Sequence, residues 1–490
     1  MRTDRRGRAR GARGALLGGA LALVAVAAAP GPAAGAPATA RPAAAPAPAT
    51  GTPATGTPAT GTPATGTPAT RAHAPRAHAT DGETVLISVG MGGEPADGPS
   101  ERASISADGR LVVFTSHADN LVPVDRNGCT DVFLRDVARG RTVRVDRGYD
   151  GRESNGCTGI DPVISADGHY AVYSADSTDL VRGVRDGRSH IYRTDLRTGE
   201  TALVSAAGDG TPGNGDSMRP TLSADGRYVA FATAADNLVT GGKPSGTWDT
   251  VVRDMVTGTV VRTSAASDGT PGNAASDGTQ ISADGRYVTF FSNATDLVEG
   301  DTNKKVDEFL HDTATGRTTR LSVTAAGVQS DQITIGGTLS DDNRYVVLNS
   351  HATNLTPDSP DTTQDHAYLQ DLTTGALRLI DKGADGVPAP GGTFWASITG
   401  DGRHIPMSSS GPNLVDGDTN GVRDIFVADL PGGALRRVSV GSDGQQADAA
   451  SYFPDADQHA QAVVFTSYAT NLVPGDTNGQ PDIFLHREKP

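Results

Sequence analysis

Ser223-Ala224-Asp225-Gly226-Arg227-Tyr228-Val229-Ala230-Phe231 is an Asp-Gly turn that runs straight into an apolar strand, and it recurs along the chain. Copies of the turn begin at Ser106, Ser165, Ser223 and Ser282. Degenerate copies begin at Ser340 (Ser-Asp-Asp-Asn), Thr399 (Thr-Gly-Asp-Gly) and Asp455 (Asp-Ala-Asp-Gln), giving spacings of 59, 58, 59, 58, 59 and 56 residues. A period of this length marks a solenoid or a propeller, in which each unit hides its apolar faces against its neighbours. Length alone would divide 490 residues into about two to four domains. The repeat replaces that division with seven units of one domain.

Within the third unit, Pro220-Thr221-Leu222 leads into the Asp-Gly turn, a hairpin signal, and Tyr228–Thr233 is a nearly continuous apolar strand. Asn237-Leu238-Val239 opens a polar loop, Thr250–Arg253 forms a third strand, Asp254–Gly258 turns, and Thr259–Thr263 forms a fourth. Each unit is therefore expected to be a four-stranded antiparallel meander. Strands such as Leu111-Val112-Val113-Phe114 do not alternate, which predicts burial on both faces. The seventh unit shows three strands before Pro490, while Thr84–Gly90 matches a fourth strand and has no unit of its own. It is expected to complete the last unit and close a ring, so the fold class is all-β, a seven-bladed β-propeller over residues 81–490.

The turn-and-strand motif, together with Asp-Ile-Phe-Leu and Asp195-Leu196-Arg197-Thr198-Gly199, resembles the WD40-like repeat of TolB-type β-propellers over about 400 of the 490 residues. The resemblance implies the fold and little about activity, since propellers host many functions. TolB-type proteins have six blades and a separate N-terminal α/β domain. This chain has an extra repeat and no such domain, so their envelope role is not carried over.

Ahead of the repeats, six arginines within residues 2–13 precede an apolar run from Ala15 to Ala29 and the small residues Ala33-Ala34-Gly35-Ala36. Residues 1–36 therefore read as a secretory signal, and no other segment is apolar enough to span a membrane. Residues 37–80 are nearly all Ala, Pro, Thr and Gly, with four copies of Gly-Thr-Pro-Ala-Thr, and read as an extended tether. The whole chain carries a net charge of −15, but residues 81–490 hold 33 basic and 56 acidic side chains. That balance argues against nucleic acid. The expected product is a monomer, secreted or associated with the cell envelope.

Four loops between second and third strands repeat an oxygen-rich pattern: Asp125-x-Asn127-x-x-x-Asp131, Asp301-x-Asn303-x-x-x-Asp307, Asp418-x-Asn420-x-x-x-Asp424 and Asp476-x-Asn478-x-x-x-Asp482. Oxygen ligands at positions 1, 3 and 7 suit Ca²⁺. The same residues also suit Asx turns. Cys129 and Cys157 are the only thiols in an exported chain and lie on loops of one face, so they are expected to form a disulfide. Residues entering the innermost strands differ from blade to blade: Arg102, Asp161, Arg219, Gln280, Phe394, Trp395 and Tyr452. They form a candidate ligand site at the channel mouth for a protein, peptide or glycan. No Gly-x-Ser-x-Gly elbow and no Walker loop occurs. Binding is thus favoured over catalysis, the alternative being an extracellular hydrolase or lyase that uses mouth carboxylates.

Overall fold

The structure is a computed structural model that describes residues 82–159, 161–242, 247–360 and 364–489. The expected export signal and tether lie outside the described residues. Among those residues there are twenty-eight strands and no helix, and hence no helix long and apolar enough to cross a membrane.

The strands form seven four-stranded antiparallel sheets. Six are contiguous in sequence, blade three for example being Ser217–Leu222, Tyr228–Thr233, Asp249–Asp254 and Val260–Arg262. The seventh joins Ser451–Ala456, Ala462–Ser467 and Asp482–Arg487 to the N-terminal strand Glu83–Leu86, which pairs Thr84 with His486 and Val85 with Leu485. The ring closes as the sequence predicts.

The core lies between blades. One cluster joins Val464, Ile483 and Leu485 of blade seven to Ile105, Val112 and Phe114 of blade one. Others join blade one to two, two to three, five to six and six to seven. This wedge packing explains the non-alternating strands: Val112, Val113 and Phe114 point to opposite faces, yet all are fully buried.

The recurrent turn is held by its own side chains. Ser106 Oγ donates to Asp108 Oδ1 at 2.7 Å and accepts from Leu111 N at 3.1 Å, while Gly109 takes φ +68°. In blade seven the turn is Asp457 to Ala460, with Ala460 N donating to Asp457 O at 3.2 Å. This corrects the assignment to Asp455 and restores a spacing of 58 residues from Thr399. Neighbouring turns also bond to one another, Ala107 N to Ala166 O and Ala224 N to Ala283 O at 3.0 Å, and Gln458 N to Ala107 O at 3.2 Å. They draw one end of the channel into a collar.

Candidate functional site: the channel mouth

Each first strand that is long enough is interrupted by a bulge, for instance between Glu101 and Ser104 and between Tyr452 and Asp455. A bulge re-aims a side chain out of the pleat. The residues at this point are Arg102, Asp161, Arg219, Gly278, Gly336, Trp395 and Phe453, and all seven have positive φ, from 52° to 73°. Three of the residues that the sequence suggests for the mouth hold neighbouring positions: Phe394 and Tyr452 precede the bulge residues of blades six and seven, and Gln280 lies two residues beyond Gly278. Counting 58–59 residues from Arg219 would have selected Gly278, and the same count would have added Gly336 and Phe453.

The bulge residues meet across blade boundaries. Trp395 stacks edge-on against Phe453 with centroids 4.3 Å apart. The Arg102 guanidinium lies 3.5 Å over the Phe453 ring and pairs with Asp161 at 2.9 Å. Arg219 pairs with Asp277 at 2.8 Å. An arc of aromatic and charged groups thus runs through blades six, seven, one and two, while at the two glycine positions the side chains of Phe291 and Asn349 stand 2.2 and 3.0 Å from where a Cβ would lie. Outward, Trp395 meets Tyr452 at 5.9 Å, and Tyr452 meets Tyr468 at 6.0 Å. Tyr468 is 47 % exposed at the rim.

Arg423, from the loop before the third strand of blade six, stands among these rings, with its guanidinium 4.3 Å from the Phe394 centroid, 5.5 Å from Tyr452 and 5.7 Å from Trp395. Burial draws it below the usual arginine range. The sequence alone did not single it out. The available signal was its place one residue before the repeated Asp424.

The four oxygen-rich loops fold as Asx turns. Asn127, Asn303, Asn420 and Asn478 each accept a backbone N–H from two residues on, at 2.9, 2.9, 3.3 and 2.9 Å. Each turns its Nδ2 toward Asp131, Asp307, Asp424 or Asp482, at 3.1, 3.1, 2.8 and 2.6 Å. In three blades an arginine from the fourth strand supplies the positive charge. Arg144 reaches Asp125 at 3.3 Å, Asp146 and Glu153 at 3.1 Å, and also Asp131. Arg320 pairs with Asp301 at 3.0 Å and lies 3.7 Å from Asp307, and Arg437 pairs with Asp418 at 3.1 Å and lies 3.9 Å from Asp424. In these three blades the guanidinium stands beside the carboxylates that Ca²⁺ would use, and each Asn oxygen is turned to the backbone, as the Asx-turn reading has it. In blade seven the equivalent residue is Leu86, so Asp476 and Asp482 face no arginine, and burial raises both carboxyls, Asp482 to about 6. Among the described residues no group of three or more His, Cys, Asp or Glu is placed to hold a metal.

The first residue of each third strand is also tied to a side chain just past the fourth. His190 meets Ser205 at 3.0 Å, Ser264 donates to Asp249 at 3.0 Å, and His366 meets Asp381 at 2.8 Å. Ser439 donates to Asp424 at 2.5 Å, and Ser88 to Asp482 at 2.5 Å. In blade seven this tie fastens the closing strand. Cys129 and Cys157 form the expected disulfide, with an S–S distance of 2.06 Å.

No protein-family model matches the chain, and no curated protein matches its sequence. Solved propellers do match. A structure of oligogalacturonate lyase in complex with manganese has 15 % identity and a TM-score of 0.52, over 83 % of this chain and 96 % of that one. Oligogalacturonate lyase from Vibrio parahaemolyticus has 14 % identity and a TM-score of 0.49, over 83 % and 98 %. TolB from Acinetobacter baumannii has 17 % identity and a TM-score of 0.38, over 70 % and 64 %. At such identities the likeness concerns fold. The blade count equals the repeat count, and the chain is a seven-bladed β-propeller.

Proposed function

We propose that this propeller is a binding module, exported to the cell envelope or beyond it, whose ligand seats at the channel mouth on the arc from Tyr468 to Arg102. One observation carries the reading. The bulge position demands a left-handed backbone, which costs a non-glycine residue about 1–2 kcal/mol. Blades four and five use glycine there, while five blades keep Arg102, Asp161, Arg219, Trp395 and Phe453. Side chains held against that cost, and meeting one another across blade boundaries, suit a site that needs them. The disulfide fits an oxidising compartment.

Catalysis by mouth carboxylates is less well supported, because Asp161 and Asp277 are each paired with an arginine. The full mature chain, screened against glycan and peptide panels, should retain ligand without converting it, and Trp395→Ala should abolish retention. Turnover would make it an enzyme. Retention unchanged by Trp395→Ala would remove the ligand from this mouth.

A further inference from the structure

We infer that the ligand is an acidic oligosaccharide, with a sugar carboxylate gripped by Arg423 and the sugar faces laid along the aromatic arc; the inference rests on the channel-mouth reading above. The buried arginines Arg144, Arg262, Arg320 and Arg437 each face a carboxylate, and Arg253 donates to the backbone carbonyls of Ala206 and Ala207. Arg423 has neither kind of acceptor at its Nη atoms. Its Nε donates to Ser410 Oγ at 3.3 Å, and among the described residues nothing accepts from its two Nη atoms. Asp365 is near enough to act on its charge but is bonded to His351 at 2.7 Å. The three rings around Arg423 can satisfy only the face of the guanidinium. Its N–H donors lie in the plane and form a fork that fits a carboxylate edge-on. An anion with two coplanar oxygens is the partner this fork fits.

The rings say what carries that anion. Trp395, Tyr452 and Tyr468 follow one another at 5.9 and 6.0 Å and continue to the exposed rim. Successive rings stand nearly perpendicular, at 74° and 82°, so a ligand that uses all three meets ring faces and ring edges in turn, as rigid linked sugar rings can, whereas an acidic peptide presents flexible side chains. With 56 acidic residues against 33 basic over residues 81–490, the protein does not draw polyanions by its overall field. Recognition is local, which suits short oligosaccharides.

The test is a titration of the full mature chain in a Trp248→Phe background, reading Trp395 fluorescence. The probes are a uronic-acid oligosaccharide, the same oligosaccharide with its carboxyl groups reduced to alcohols, and an oligoglutamate peptide. The acidic sugar should bind about ten- to a hundredfold more tightly than the reduced one. Arg423→Gln should erase that preference while keeping residual binding, and Arg423→Lys should keep part of it. Equal binding of acidic and reduced sugar, or a preference that survives Arg423→Gln, would overturn the inference and leave the binding mouth standing. Tighter binding of oligoglutamate would also overturn it, in favour of a peptide. Sugar binding that survives Trp395→Ala, read by titration calorimetry because that variant lacks the reporter, would overturn the mouth itself.

Discussion

Lowering the pH from 7 to 4.5 should loosen the strand that closes the ring, and His486 is the group responsible. It sits on the last strand of blade seven, 1 % exposed, opposite Thr84 of the N-terminal strand. Thr84 Oγ1 donates its only hydrogen to Val440 O at 2.5 Å and lies 2.9 Å from His486 Nδ1. The imidazole must therefore donate from Nδ1, and Nε2 is the bare nitrogen. Nε2 has no partner, and the space beside it is closed, since a Cβ at Gly82 would come within 2.3 Å of the ring. Protonation would leave a buried N–H with nothing to accept it. Burial accordingly lowers the pKa from 6.5 to about 4, with Glu488 pulling it up slightly and Arg436 pushing it down.

The sign follows. Between pH 6.5 and 4 the open strand binds a proton that the closed strand refuses, so stability is full above 6.5 and falls as pH drops. At 1.36 kcal/mol per unit, the loss between pH 7 and 4.5 is about 2 kcal/mol. Carboxyls raised by burial, such as Asp424 and Asp482 at about 6, oppose it by gaining stability as they protonate. The comparison must therefore be between the wild type and His486→Asn, which keeps a donor for Thr84 but does not titrate. Amide hydrogen exchange at Val85 and Ile87 reports opening of this strand directly. Protection should fall with acid by about thirtyfold more in the wild type than in the variant. The same acid response in both would refute the assignment.

Four other perturbations separate the parts of the frame. Arg320→Met leaves Asp301 and Asp307 buried against each other and should cost about 3–5 kcal/mol by denaturant unfolding. Millimolar Ca²⁺ should then raise the melting point of that variant more than that of the wild type. Reducing Cys129–Cys157, which closes a loop of sequence separation 28, should cost about 3–4 kcal/mol on the chain-entropy scale, read as a lower unfolding midpoint with reductant. Glu308 is wholly buried against Gly336, Gly337 and Thr289, and burial holds its carboxyl well above the usual range. Wild-type stability should thus fall as pH rises past the ordinary carboxylate range, and Glu308→Gln should flatten that fall and melt higher at pH 8.

The fold was readable because each blade repeats the chemistry its turn and strands require. The Ser-Ala-Asp-Gly turn needs a hydroxyl, a carboxylate and a left-handed fourth residue. Where blade seven substitutes Asp457 and Ala460, similarity of letters pointed to Asp455 and only backbone bonding recovered the turn. The mouth was half readable. Its residues vary by nature, so they can be found only by counting, and the bulge that re-aims them leaves no mark of its own in the sequence. Gln280 carries chemistry visible in the sequence, whereas Gly278, which holds the bulge, carries none. In the loops the Asx turns were legible and the counter-charge was not. Asp and Asn at calcium spacing were visible, but Arg144, Arg320 and Arg437 lie 13–19 residues further along, on another strand. Only strand pairing, Phe133 with Arg144 and Phe309 with Arg320, brings the guanidinium to the carboxylates.

If the left-handed side chains serve a ligand, the frame should not miss them. Asp161, at φ 73°, forms one ion pair with Arg102 in which both side chains are more than a quarter exposed, and such a pair contributes about 0–1 kcal/mol. Asp161→Gly relieves about 1–2 kcal/mol of left-handed strain. Glycine's freedom in the unfolded chain takes back about 0.4–1 kcal/mol. The terms nearly cancel, and the variant should unfold within about 1 kcal/mol of the wild type. Val113→Gly, at a fully buried position on the second strand of blade one, empties core space and should cost several times as much. Loss of more than about 2 kcal/mol in Asp161→Gly, by denaturant unfolding, would mean that the position holds the blades together. The case for a mouth shaped by function would then fall with it.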